Sequence, residues 1–120
     1  MILVPPGVRI LLATRPVDFR KGMDGLAALV RQALRADPFA GDVFIFRPRR
    51  ADRVKILVYD DTGLVLYSKR LEAGRFCWPS PAEGVVRLSA AQLATLLEGL
   101  PWHRLQPRVI PAHGSSDTTR

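Results

Sequence analysis

The feature that most constrains the fold is a succession of three strand-like segments joined by short turns. These segments cover about residues 42–47, 53–59 and 64–70. In the third segment Leu64 and Leu66 lie on one face and Val65 and Tyr67 on the other, the alternation expected of a strand. The sequence DDTG at 60–63 predicts a tight turn, because glycine tolerates a positive φ. The three segments therefore predict an antiparallel meander.

Two further segments predict helices, each with one apolar stripe. The first helix is expected within residues 23–37, where apolar residues recur three and four positions apart. Pro38 is expected to end it, because proline disfavours helical geometry in the residue before it. The second helix is expected to begin after Ser89, a natural N-cap, and to end at Gly99. Its stripe consists of Leu93, Leu96, Leu97 and Leu100.

The remaining segments complete an α+β fold. A short buried strand is expected at 8–13, and Pro16 is expected to stop it and begin a loop. A last short strand is expected in VVRLS, residues 85–89. The predicted architecture is a small antiparallel meander sheet with two helices packed on one face. We expect one domain over residues 1–104 and a flexible tail over residues 105–120.

The charge balance favours an anionic partner. The chain has 18 lysine and arginine residues against 11 acidic residues, a net charge of +7, and fifteen of the cations are arginine. The planar guanidinium group suits phosphate, so a nucleic acid or nucleoprotein partner is favoured. A GC-rich genome also favours arginine codons, which leaves a compositional origin open.

Hydropathy and cysteine content predict a cytoplasmic protein with no membrane partner. No window approaches the roughly 18 apolar residues that span a bilayer. The N-terminus lacks the pattern of a signal peptide. Cys77 is the only cysteine, so no internal disulfide can form, as is usual in cytoplasmic proteins.

Arginine is concentrated in IFRPRRADRVKILVYDD, residues 45–61, which joins the first two strands of the meander. Arg49 and Arg50 are expected at the hairpin tip, where only Asp52 opposes them. Charged residues at such a tip are usually solvated and protect the sheet edge from unwanted pairing. The alternative is a surface that grips phosphate groups. The candidate nucleic-acid-binding residues are Arg20, Lys21, Arg47, Arg49, Arg50, Arg53, Lys55, Lys69, Arg70 and Arg75.

The loop DFRKGMDG, residues 18–25, has two interpretations. Free backbone N–H groups at the start of the first helix, with Arg20 and Lys21 beside them, would bind an anion. Alternatively, Asp18 pairs with one of these cations and braces the loop, while the glycines permit a tight turn. The second interpretation is favoured, so Asp18 and Gly22 are assigned a structural role.

The rings of Phe76 and Trp78 are also expected to be structural. The sequence RFCWP follows directly on a strand, and alternation points both rings to one face. The simplest position is the core under the second helix. The alternative is an exposed platform on which unpaired bases stack.

The sequence offers no convincing catalytic constellation. A two-metal nuclease needs several converging carboxylates, and we cannot nominate three that the meander would bring together. The motifs C-x-x-C and H-E-x-x-H and the Walker loop are absent from the sequence. We therefore predict a protein that is not an enzyme and has no metal, cofactor or small-molecule substrate.

Four blocks of the sequence resemble one known family, the small accessory protein of insertion sequence 66 type transposons, also called TnpB or Orf2-like. The blocks extend from about Pro5 to Trp102 and read PVDFRKGMDGLAALV, DPFAGDVFIFRPRRADRVKIL, LVLYSKRLEAGRFCWP and LSAAQLATLLEGLPW. The positions that match the family's motifs are Asp18, Arg20, Lys21, Gly22, Arg47, Arg49, Arg50, Lys55, Lys69, Arg70, Arg75 and Trp78.

The resemblance implies a protein encoded beside a separate, larger transposase and needed for efficient transposition. It does not imply the catalytic subunit, and it carries over no catalytic residue. Two functions remain open. The chain binds DNA through its hairpin arginines and the KRLEAGRF segment, or docks on the transposase as a protein-interaction module, or does both.

Overall fold

The structure, a computed structural model, describes residues 6–102, in which two helices cover a five-stranded sheet. The strands are β1 (Ile10–Val17), β2 (Val43–Pro48), β3 (Arg53–Tyr59), β4 (Leu64–Arg70) and β5 (Val85–Leu88). The helices are α1 (Met23–Gln32) and α2 (Ala90–Leu97), and a short 3-10 helix covers Pro81–Glu83. The strand order across the sheet is β4-β3-β2-β1-β5.

The α+β class and the antiparallel meander are confirmed. β3 pairs antiparallel with both β2 and β4, so that Ile56 lies opposite Ile45 on one side and Tyr67 on the other. β5, the expected last strand, pairs antiparallel with β1. β1 and β2 are parallel, with Ile10 opposite Val43, because the chain crosses over through α1 between them. No pattern in the sequence predicted this parallel pair.

The helices lie on opposite faces of the sheet, rather than on one face as the sequence analysis expected. Leu26 of α1 belongs to a core cluster with Phe44, whereas Leu96 of α2 belongs to a second cluster with Ile45. Residues 43–46 of β2 are all buried, so apolar side chains leave this central strand on both faces. One helix cannot cover both faces, and each apolar stripe therefore covers one.

β1 continues through Pro16 to Val17, so the prediction that Pro16 stops the strand was wrong. The Thr14 N–H donates to the carbonyl of Gly84, 3.0 Å away, immediately before β5. β1 pairs with β5 only over Ile10–Ala13, and its register with β2 shifts between Ala13 and Val17, so Pro16 lies in an irregular part of the strand. The missing N–H of proline therefore removes no ladder hydrogen bond.

α1 ends at Gln32, well before the expected boundary at Pro38. Arg35 takes a left-handed conformation with φ 53°, and the Ala36 N–H donates to the Val30 carbonyl at 3.0 Å. This hydrogen bond spans seven residues and closes the turn that follows the C-cap residue Ala33. The left-handed residue, not the proline, ends the helix.

The predicted start and end of α2 are confirmed. The Ser89 hydroxyl accepts from the Gln92 N–H at 3.0 Å, and the Gln92 side-chain oxygen accepts from the Ser89 N–H at 2.8 Å. This reciprocal pair is a capping box. Beyond the helix, Gly99 has φ 76°, the left-handed conformation that glycine adopts most easily.

Within residues 6–102, neither helix has the length and hydropathy needed to cross a membrane. The segment predicted to be a flexible tail, residues 105–120, lies outside the described residues. The extent of the single domain, residues 1–104, stays a prediction.

Candidate nucleic-acid interface

One end of the sheet gathers three segments that are distant in the chain. The β2–β3 connection lies beside the loop that follows β4, because the Leu71 N–H donates to the Asp52 carbonyl at 2.9 Å and the Phe76 N–H to the Ala51 carbonyl at 2.7 Å. The loop before α1 joins them through the contacts described next. We call this region the hairpin end and define it as residues 18–22, 49–55 and 70–76.

Phe19 lies at the centre of the hairpin end. The guanidinium carbon of Arg53 lies 4.7 Å from the centroid of its ring, and Nζ of Lys55 lies 5.0 Å from it. Both distances are typical of cation–π contacts. Although two cations contact the ring, Phe19 remains 42% exposed. Phe19 was not among the residues predicted from the sequence, although a large apolar side chain among the charges of DFRKG was a usable signal.

Lys55 fixes the backbone of the loop that carries Phe19. Its Nζ donates to the carbonyl of Phe19 at 2.6 Å and to the carbonyl of Lys21 at 2.8 Å. A lysine ammonium has three donors, so these two bonds commit most of its capacity. Lys55 was a candidate for binding a nucleic acid, and the structure gives it a bracing role within the protein.

Asp18 and Arg20 form a second brace in the same loop. Asp18 accepts from the Arg20 backbone N–H at 2.9 Å and from its guanidinium group at 3.2 and 3.0 Å. The side-chain hydrogen bond from Arg20 is the largest cause that lowers the pKa of Asp18 to about 2. The bracing interpretation of the loop therefore describes it better than an open anion site. Gly22 is the N-cap of α1 with φ −98°, which does not require glycine.

The remaining arginines of the hairpin end are mostly exposed. Within residues 6–102 Arg49 makes no salt bridge, and the Nε atoms of Arg50 and Arg53 lie 3.6 and 3.7 Å from the same carboxylate oxygen of Asp52. Arg70 lies opposite Arg53 in the β3–β4 register and is exposed. Arg75 is exposed on the adjoining loop. The hairpin end therefore holds eight basic residues and three acidic ones.

Arg47 and Lys69 do not join this surface, because they face the opposite side of the sheet. The Arg47 guanidinium carbon lies 5.7 Å from the centroid of Trp78, and burial lowers the pKa of Arg47. Lys69 donates through Nζ to the Leu97 carbonyl at 2.7 Å. Of the ten candidates, these two make their contacts within the fold on the α2 side.

Phe76 and Trp78 both pack on the α2 side, as the alternation predicts. Phe76 is 2% exposed and belongs to the core cluster beneath α2. Trp78 is half-buried against the same cluster, and its ring centroid lies 5.6 Å from that of Phe76. Neither ring contributes to the exposed surface around Phe19.

Two depressions lie near this end of the molecule. A groove of about 510 Å³ runs between the end of β1 and the hairpin tip, and its walls are formed by Pro16, Val17, Asp18, Phe19, Pro48, Arg49 and Arg50. An apolar cleft of about 450 Å³ lies between β1, the C-terminal end of α1 and the start of β5. Leu29, Phe46 and Val85 are among the residues that line the cleft.

The carboxylates and the single thiol of residues 6–102 are scattered over the fold. No three His, Cys, Asp or Glu side chains there come close enough together to hold a metal ion. Cys77 is a free thiol packed against the core cluster beneath α2.

Comparison with known proteins agrees with the motifs. The model of a family described as "IS66 Orf2 like protein" matches residues 8–107. The chain is 44% identical over 104 residues to the uncharacterized protein y4jC of Sinorhizobium fredii (strain NBRC 101917 / NGR234), covering 87% of this chain and 89% of that protein. It is 40% identical over 106 residues to the uncharacterized protein y4hO of the same strain, covering 87% and 92%. No solved structure matches the chain.

Proposed function

The chain belongs to the IS66 Orf2-like family, and from this membership we propose that it is a non-catalytic accessory protein of an insertion-sequence transposition system that binds DNA through the hairpin end. The family suggests the accessory role in transposition. The arginine-rich surface supports the finer proposal of DNA as the direct partner. Such a protein acts together with a separate transposase, in the cytoplasm where the DNA is.

The observation that carries the proposal is the excess of exposed cations at one end of the sheet. The hairpin end has a net charge of +5, and Asp18 is already committed to Arg20. Arg49, Arg70 and Arg75 make no salt bridge within the described residues and are exposed. Arginines that have no carboxylate partner and face solvent offer planar donor pairs to phosphate oxygens. A surface of this kind binds duplex DNA mainly by neutralising phosphates.

The test is the salt dependence of binding to duplex DNA that carries the ends of the element. Each phosphate contact contributes about 0.9 to the slope of log affinity against log salt. Replacing both Arg49 and Arg50 by alanine is expected to weaken binding across sequences and to lower the slope by about 1 to 2.

A matched control removes the same charge elsewhere. Arg35 lies beyond the C-terminal end of α1, Arg87 lies on β5, and both are exposed. The Arg35→Ala, Arg87→Ala double variant is expected to keep the slope of the wild type. If the two double variants change binding equally, net charge rather than the hairpin end decides affinity. If the Arg49 and Arg50 variant binds as the wild type does, the hairpin tip is not the contact surface.

The alternative function is a protein-interaction module that docks on the transposase without touching DNA. The apolar cleft favours it, because Val85 at its rim is 46% exposed and Leu29 and Phe46 line its interior. Exposed apolar surface of this kind commonly marks a protein contact. Retention of purified transposase by the wild type, lost on Val85→Asp but kept in the Arg49 and Arg50 variant, would support docking through the cleft.

A further inference from the structure

The groove beside Phe19 has the volume of a small-ligand pocket rather than of a surface that follows a DNA duplex. Its volume of about 510 Å³ lies within the range of about 300–1,000 Å³ that is usual for small-ligand pockets. One wall carries Asp18 and Phe19, and the other carries Arg49 and Arg50. A single nucleotide has both an apolar face and an anionic phosphate, which are the two chemistries that the walls offer.

Phe19 is exposed and yet firmly positioned. Its own carbonyl accepts from Lys55, and the Lys21 N–H donates to the Asp18 carbonyl across the turn at 3.1 Å. The Asp18–Arg20 pair closes the same turn from the solvent side. A ring held in this way loses little conformational freedom when a ligand packs on it, so most of the stacking energy is available for binding.

The cations around the Phe19 ring supply the positive charge that would contact phosphate groups. Arg53 contacts the ring from within the protein, and Arg49 and Arg50 line the groove opposite it. Asp52 lies 3.6 Å from Arg50 and 3.7 Å from Arg53, distances too long for strong charge-assisted bonds. The Arg50 guanidinium group, which lines the groove, therefore keeps donors for a phosphate backbone that passes along it.

We propose that this groove binds single-stranded DNA, with one unpaired base stacked on Phe19 and the adjoining phosphates on Arg49 and Arg50. The inference rests on the proposed DNA-binding function and adds the form of DNA that the site selects. Phosphate contacts serve duplex and single strand alike, but the faces of paired bases are covered by their neighbours in the helix. Only an unpaired base can lie flat on an exposed aromatic ring.

The experiment compares Phe19 variants on two forms of one short mixed-sequence oligonucleotide, the single strand and its duplex, by fluorescence anisotropy. Removing one aromatic stacking partner is expected to weaken single-strand binding about 5- to 150-fold. Phe19→Ala is expected to show this loss and to leave the duplex affinity unchanged. Phe19→Leu keeps apolar volume against Arg53 and Lys55 but has no π face, so it is expected to show the same loss if stacking is the cause.

Two further variants make the test specific. Phe19→Trp is expected to retain single-strand binding, and added single strand should quench its fluorescence beyond any change seen in the wild type. Met23→Ala removes another apolar side chain, 41% exposed, four residues further along the chain and outside the groove. It is expected to bind both DNA forms as the wild type does. Thermal melting of each variant checks that the fold is intact.

The outcomes separate this inference from the function on which it rests. If the Phe19 variants bind single strand normally while the Arg49 and Arg50 variant weakens both DNA forms, stacking is refuted and the DNA-binding function stands. If the wild type binds neither form, both are refuted. If Phe19→Ala loses retention of purified transposase but no affinity for single strand, the ring belongs to a protein contact and the inference is overturned.

Discussion

The Nζ atom of Lys69 donates a hydrogen bond to the carbonyl oxygen of Leu97, 2.7 Å away, at the last residue of α2. The last carbonyls of a helix have no partner within it, and the helix dipole makes this end negative. A lysine from β4 therefore satisfies one of these carbonyls and ties the helix to the sheet. Arg70, the next residue, points to the opposite face and is exposed.

Substitutions of Lys69 and of Arg70 are expected to have different effects on stability and on DNA binding. Lys69→Met should lower the free energy of unfolding by about 1–2 kcal/mol, because it leaves the Leu97 carbonyl without its charged donor. It should not change the salt slope of DNA binding. Arg70→Ala should leave stability unchanged and lower that slope by about 1. Denaturant unfolding and binding at several salt concentrations measure both effects, and the reverse pattern would exchange the two roles.

Phe76 and Trp78 predict a graded loss of stability. Phe76 is fully buried beneath α2, so Phe76→Ala should cost about 3–5 kcal/mol. Trp78 is only half-buried and lies against Arg47, so Trp78→Ala should cost less than Phe76→Ala. Urea unfolding gives both values. A normal melting curve for Trp78→Ala combined with lost single-strand affinity would instead make this ring a stacking platform.

Local sequence patterns predict the parts of the fold that local interactions determine. The meander follows from alternation and the turn at 60–63, and the start of α2 follows from the Ser89 cap. The spacing of apolar residues shows that a helix has one buried stripe. It does not show which face of the sheet that stripe covers, because either face can offer apolar surface. The continuous apolar run of residues 43–46 was the available signal that both faces of β2 are covered. The parallel β1–β2 pairing depends on contacts between distant segments, which no local pattern encodes.

The basic residues of the candidate site were predictable from the sequence, because their charge identifies them. The hairpin arginines were recognised because four of them fall within the ten residues IFRPRRADRV. Which face of the sheet each arginine occupies depends on the strand register. A shift of one residue would move the Arg47 side chain to the opposite face of the sheet. Phe19 lies far from the hairpin in the sequence, and only the fold brings it beside Arg53.

The carboxylates of the described residues predict that the protein does not cut DNA. Asp42 binds Arg9 at 2.6 Å, and Asp60 accepts from Thr62 and Gly63 within its turn, so both are committed to local structure. The purified chain with magnesium or manganese is therefore expected neither to nick nor to join DNA. Conversion of supercoiled plasmid to its nicked form measures this. Metal-dependent nicking that survives purification and is lost in a carboxylate variant would make the protein an enzyme.

The Asp18–Arg20 pair predicts a low pKa for the Asp18 carboxyl, caused by contacts within its own loop. Its hydrogen bonds from Arg20 lower the pKa of Asp18 from an ordinary value of 3.8 to about 2. Because the pKa of the folded form is depressed, the stabilising contribution of this pair is present above pH 3.8 and is lost as the pH falls through about 2. NMR titration of the Asp18 carboxyl should therefore give a midpoint near 2. Arg20→Gln should return the midpoint toward 3.8, since the largest cause of the shift is removed.

Lys21→Gln is the matched control for this titration. It removes the same charge from the next residue, and the charge of Lys21 is the smallest cause of the shift of the Asp18 pKa. We therefore expect only a small rise in the midpoint for this variant. Equal rises for Arg20→Gln and Lys21→Gln would mean that general electrostatics, rather than the specific hydrogen bonds from Arg20, hold the carboxylate ionised. The loop that presents Phe19 would then lack the brace that the geometry assigns to it.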